Sequence, residues 1–257
     1  MDTLELLDTR SGNALVVALD HGVGMGAVAG FERPGETLAS VLDGNPDGIL
    51  ATPAFVRQFR ESITDAGVDA VLTADTLFFA RGLGEYDGPI QQGPGDVQSL
   101  VELEPSGIKL MLVFGRERSA LRRNLEYVRR TAQVLDGTGV PLVVETVLWG
   151  DRIPDADRTD PKRLASACRV AWEHGADALK IPYTGDVDSF EGLVDCVPIP
   201  IFVLGGPASD SPDDIVDDVR TAVVAGARGA MVGRSVWQSS DPAGVTRRLC
   251  DAVHEGV

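Results

Sequence analysis

The sequence predicts a single (β/α)8 barrel spanning residues 1–257. Three observations carry this. Eight short apolar runs alternate with longer mixed segments along the chain, the count and rhythm of a barrel of roughly 250 residues. Each run is rich in Val, Ile or Leu and nearly continuous in apolarity, as parallel strands covered on both faces are. No GxGxxG follows the first run, which counts against a doubly wound open sheet.

The elements follow in order. ALVVALD (14–20) is the first strand, trailed by the glycine-rich GVGMGAVAGFERPGE (22–36). DGILAT (47–52) and DAVLTAD (69–75) are the second and third. A long insertion, LFFARGLGEYDGPIQQGPGDVQSLVE (77–102), comes next. Both irregular segments follow strand C-terminal ends, the catalytic face of a barrel. IKLMLVF (108–114) is the fourth strand. After it, residues 117–137 put Leu121, Leu125, Val128 and Ala132 on one stripe with arginines opposite, an amphipathic helix. PLVVETV (141–147) is the fifth strand. The helix 160–175 opens on an Asp160 cap with Pro161 at its first position. It closes at His174–Gly175, where a cation suits the helix dipole and glycine takes the left-handed cap. DALKIP (177–182) and PIFVLGG (200–206) are strands six and seven. Helix 211–226 is capped by Ser211 and carries acids in its first turn. RGAMVGR (228–234) is the eighth strand, and 241–256 the last helix.

Composition narrows the function. The net charge of −16 argues against nucleic acid and anionic membranes as partners, because both need a basic surface. Acidic excess with arginine preferred over lysine fits a halophile's surface, or a GC-rich genome. No run is long enough to span a bilayer, and MDTLELLDTRSG lacks a signal-peptide layout, so a cytoplasmic protein is expected. Cys168, Cys196 and Cys250 form no CxxC, and His21, His174 and His254 are scattered. Neither a disulfide framework nor a metal site is indicated, and no cofactor is called for.

The candidate site rests on ionisable residues inside apolar strands. Lys180, one of three lysines in the chain, sits near the end of strand six. Burial disfavours its charged form, and a neutral amine can attack a carbonyl to form a Schiff base. The alternative is a lysine paired with a core carboxylate. Asp20 ends strand one, and Glu145 lies in strand five. Alternation places Glu145 in the lumen if Val143 and Val147 point inward, where burial is expected to raise its pKa toward neutrality and fit it for proton transfer. A structural ion pair with Lys180 is the alternative. Gly205 and Gly206 after strand seven, with Gly233 and Arg234 after strand eight, suit a phosphate, which barrels commonly bind there; tight turns alone would also explain the glycines.

Together, DHG (20–22), the K-x-x-Y-T-G-D beginning at Lys180, the GG pair and GRSVWQ (233–238) resemble the archaeal-type class I aldolases of the DhnA-like group. That group includes archaeal fructose-bisphosphate aldolases and 2-amino-3,7-dideoxy-hept-6-ulosonate synthases. The resemblance runs from about residue 12 to 255. It implies a TIM barrel in which Lys180 forms the Schiff base with a sugar phosphate. Asp20, and His21 beside it, contact the substrate, and Gly205, Gly206, Gly233 and Arg234 hold its phosphate. It also implies a homo-oligomer, a ring of five or ten. One departure stands out. Relatives carry an acid–base tyrosine after strand five, where this chain has Val147, with Trp149 in place of an arginine. Glu145 and Tyr183 are the replacement candidates for taking the C4 hydroxyl proton. A basic residue common after strand four is replaced by Leu112, with Arg116 nearby. The readings left open are reversible aldol cleavage, transfer to a second aldehyde as in the heptulosonate synthases, imine-free phosphate chemistry, and a non-catalytic sugar-phosphate sensor.

Overall fold

The computed structural model describes residues 11–78, 90–205 and 211–255. Eight parallel strands close into a barrel: β1 (Ala14–Ala18), β2 (Gly48–Ala51), β3 (Asp69–Thr73), β4 (Gly107–Val113), β5 (Leu142–Val147), β6 (Ala178–Pro182), β7 (Ile201–Leu204) and β8 (Gly229–Val232). Each pairs with its sequence neighbours, and β1 pairs with β8 to close the ring. The predicted barrel and its eight strands are therefore present. Part of the long insertion forms a short antiparallel pair, Thr76–Phe78 with Ile90–Gln92. Residues 79–89 of that insertion lie outside the described residues.

Side-chain parity sorts the strands into two cores. Leu15, Val17, Ile108, Leu110, Val144, Leu179, Ile181, Ile201 and Val203 face outward and pack under the helices. Ala14, Val16, Leu50, Val71, Val143, Ala178, Phe202 and Met231 fill the lumen. Period-two alternation hides inside runs that look uniformly apolar, because both faces are dry.

Helix caps follow the sequence. Asp160 accepts from the Arg163 amide at 2.8 Å, Ser211 from Asp213 at 3.1 Å, and Asp241 from Gly244 at 2.9 Å. Each satisfies an amide that the first helical turn leaves without a partner. His174 caps helix Pro161–Glu173, its Nδ1 2.8 Å from the Val170 carbonyl, and Gly175 follows with φ 102°. That histidine is structural, as its position predicts. Among the described residues, no helix is long and apolar enough to cross a membrane.

Candidate active site

The inward parity of the strands continues past the apolar lumen layer to the C-terminal rim. There the inward positions become ionisable. Lys109 on β4, Glu145 on β5 and Lys180 on β6 are all nearly buried, at 4%, 6% and 5% exposure. Register places Glu145 directly beside Lys180, and Met111 beside Glu145. Lys180 Nζ donates to Glu145 Oε2 at 2.9 Å, and Lys109 Nζ lies 3.2 Å from the same oxygen. Lys109 also donates to Asp20 Oδ2 at 3.3 Å and to Thr73 Oγ1 at 3.2 Å. Two ammoniums and two carboxylates thus form one chain across four strand ends, and charge balance is what makes its burial tolerable.

The charges set each other's protonation. Burial alone would raise the pKa of Glu145, but Lys180 and Lys109 outweigh it and hold the carboxylate below its usual range. This corrects the expectation that burial would bring Glu145 toward neutrality: two cations share its oxygen. Burial likewise pushes Asp20 up, yet Lys109, His21 and Lys180 bring it down to about 2. Burial disfavours the Lys109 ammonium, but Glu145, Asp20 and Asp75 lift its pKa above the usual lysine range. Asp75 departs from this pattern. Its burial dominates over Lys109 and over hydrogen bonds from the Met111 amide and Gln91, and its pKa rises to about 6.

These groups line a cavity of ≈ 700 Å³ at the rim, together with His21, Trp149, Arg158 and Arg234. His21 packs edge-on against Trp237, with centroids 5.2 Å apart, and its Nδ1 is 3.6 Å from Asp20. Burial lowers its pKa, Lys180 and Arg234 adding to the effect and Asp20 opposing it. Trp237 in turn donates its indole N–H to the Ala18 carbonyl at 3.0 Å. The tryptophan of GRSVWQ therefore ties the end of β8 to the end of β1. A Cβ on Gly233 would lie 2.5 Å from the His21 ring and 2.7 Å from the Ala18 carbonyl oxygen. Glycine is needed there for the approach of these two loops.

The candidates read from the sequence divide as follows. Lys180, Glu145, Asp20, His21 and Arg234 meet at the cavity. Gly205 packs beside β8, where a Cβ would sit 3.2 Å from Val232; Gly206 lies outside the described residues. Tyr183 is not brought in. Lys180 and Pro182 share the inward parity, so Tyr183 turns outward, packing on Phe190 with centroids 5.3 Å apart. Leu112 also faces the outer core. A basic residue at that position would not reach the lumen, whereas Lys109, three residues earlier, lines the cavity. Lys109 and Asp75 were not singled out as site residues, although each is an ionisable residue in an apolar run, the feature that marked Lys180 and Asp20.

The fold and site define a barrel enzyme with a buried amine pair at its C-terminal face. The chain belongs to the DeoC/LacD family of aldolases, whose family model matches residues 14–239. It is 30% identical to a class 1 fructose-bisphosphate aldolase of Thermoproteus tenax, over 96% of this chain and 92% of that protein. It is 28% identical to a 2-amino-3,7-dideoxy-D-threo-hept-6-ulosonate synthase of Halobacterium salinarum, over 94% of this chain and 86% of that one. Among solved structures it resembles an archaeal fructose-1,6-bisphosphate aldolase whose catalytic lysine is covalently bound to the carbinolamine intermediate of its substrate. That match has a TM-score of 0.81 at 27% identity and covers 98% of this chain and 100% of the other.

Proposed function

We propose that the protein is a Schiff-base aldolase that reversibly cleaves a ketose phosphate, with Lys180 as the nucleophile. The observation that carries this is the shared carboxylate: Lys180 and Lys109 both reach Glu145 Oε2, at 2.9 and 3.2 Å, beside the cavity. Glu145 is in place to accept a Lys180 proton, freeing the amine to attack the ketose carbonyl. Once Lys180 is a neutral carbinolamine nitrogen, Glu145 has lost one of its two cations and becomes a better proton holder. It can then protonate the departing hydroxyl as the iminium forms. Lys109 stays cationic throughout and balances Glu145 and Asp20 electrostatically. Asp20 lies near enough to orient the iminium nitrogen and the substrate hydroxyls. Arg234 and Gly205 provide the phosphate end, two and one strands from Lys180 around the ring.

Borohydride trapping tests the reading. Incubation with fructose 1,6-bisphosphate or dihydroxyacetone phosphate, then reduction and peptide mapping, should place the adduct on Lys180. Lys180→Met should abolish it, and Lys109→Met should leave Lys180 as the modified residue wherever an adduct forms. A folded wild-type protein that gives no adduct, or one on Lys109, overturns the assignment. The similarity to a heptulosonate synthase favours a second reading, transfer of the enamine to another aldehyde. Product formation with an added aldehyde acceptor, faster than simple cleavage, would identify it.

A further inference from the structure

In retro-aldol cleavage the aldehyde half must lose a hydroxyl proton, and Val147, buried in the lumen wall, cannot take it. We infer that Asp75 is the catalytic acid–base for this half, accepting the C4 hydroxyl proton on its free oxygen and returning it in synthesis. The inference rests on the Schiff-base reading above.

The argument starts with the backbone. β3 leaves the barrel after Thr73, its last paired residue with β4, while β4 runs on to Val113. The amides of β4 beyond that point need partners. Asp75 Oδ2 supplies one, accepting from Met111 N at 2.9 Å. Gln91, brought in by the hairpin, donates to the same oxygen at 3.3 Å and to the Met111 carbonyl at 3.3 Å. Arg116 holds Gln91 in turn, donating to its Oε1 at 3.1 Å. One oxygen of Asp75 is therefore fixed. The other, Oδ1, is buried and has no partner among the described residues, in a side chain that lines the cavity. A buried acceptor left open costs stability unless something else fills it.

Placement around the ring says what fills it. A ketose whose phosphate lies toward Arg234 after β8, and whose C2 is bound to Lys180 on β6, sends C3 and C4 toward the ends of β3 to β5. The lining there is Asp75, Leu77, Met111, Trp149 and Arg158, with Glu145 beside Met111 and held between two lysines. Met111, Leu77 and Trp149 exchange no proton, and the Arg158 guanidinium offers donors and no acceptor. Asp75 is the carboxyl on that wall with an open oxygen. The step balances. The C4 O–H proton passes to Oδ1 and the oxygen's electrons form the aldehyde carbonyl. The C3–C4 pair forms the C2–C3 double bond, and the iminium electrons return to nitrogen. A carboxyl raised to about 6 suits proton transfer in both directions near neutrality.

Asp75→Asn keeps an oxygen for the Met111 amide and removes the base. Borohydride should still trap the ketose phosphate on Lys180 at the wild-type level, while cleavage falls by about 10²–10⁴-fold. Asp75→Ser should behave the same way, and stands in if the first variant does not fold. Cleavage within about threefold of wild type overturns the inference. So does loss of the adduct together with cleavage, because Asp75 would then act at imine formation. A wild-type protein that gives no adduct at all removes the Schiff-base reading beneath it.

Discussion

Glu145 and Asp75 are both buried carboxyls near Lys109, and their surroundings drive them apart. Glu145 lies between two ammoniums, so replacing it takes the carboxylate from Lys180 and leaves Lys109 with Asp20 alone. Glu145→Gln should lower stability by roughly 3–5 kcal/mol, the usual cost of unpairing a buried ion, and urea unfolding at pH 7 would measure it. An unchanged midpoint would mean that Lys109 and Lys180 are solvated rather than paired. For Asp75 the sign reverses. Its carboxyl titrates near 3.8 unfolded and near 6 folded, so the native state binds the extra proton between these values. Stability is highest below pH 3.8 with respect to this group, and falls as pH rises through 6. The penalty above pH 6 is on the order of 3 kcal/mol. Asp75→Asn should therefore raise the melting temperature at pH 7.5 and leave it unchanged near pH 4. Asp20 has the opposite linkage. Its pKa is depressed to about 2, so its contribution is present above pH 3.8 and is lost as pH falls through 2. A group that is costly to ionise, and is kept in a cavity, is the pattern expected where stability gives way to function.

At the scale of elements, the exit of β3 shapes the site. The end of β4 loses its neighbour, and helix Arg118–Leu135 supplies a substitute. Asn124 accepts from the Val113 amide at 2.8 Å and donates to the Met111 carbonyl, and it is itself buried. Asn124→Ala would take the partner from the Val113 amide and leave the Met111 carbonyl with Gln91 alone, and should cost about 1–3 kcal/mol. Thermal unfolding would measure the loss; a change below about 0.5 kcal/mol would place the two groups in water instead. The next loops meet through glycines: a Cβ on Gly150 would lie 2.0 Å from the Gly115 carbonyl carbon. This packing sets Trp149 at the cavity wall. How much of this could be read beforehand follows the same physics. Apolar runs and turn residues expose the strands, caps and barrel order. They do not reveal which way a residue points, because both faces of a buried strand are apolar. Glu145 and Lys180 were legible as ionisable residues at matching depth. Tyr183 failed on parity, and Lys109 was passed over inside IKLMLVF although it carries the same mark as Lys180. Asp75 depended on a strand departure that only the hairpin and its glutamine make visible.

The whole molecule carries a net charge of −16, and self-repulsion of that size opposes the compact state. The crowding is local as well as global. Helix Pro212–Val224 bears Asp213, Asp214, Asp217 and Asp218 within two turns. Asp218 is raised in pKa by partial burial and then by Asp214 and Asp217. Asp214 and Asp218 are four apart on the helix, a like-charge spacing that costs roughly 0.2–0.5 kcal/mol in dilute buffer. Salt should relieve both effects, since the screening length falls from ~10 Å at 0.1 M to ~3 Å at 1 M. The nearly buried Glu145 network, screened less than surface charges are, should be less affected. The melting temperature should therefore rise between 0.1 and 1 M KCl and then flatten as screening saturates. Asp218→Asn, outside the first turn that the helix dipole favours for acids, should be more stable than the wild type at 0.1 M, and the difference should shrink at 1 M. A melting temperature indifferent to KCl would show that the acidic surface is a mark of composition, and that the fold bears its charge without salt.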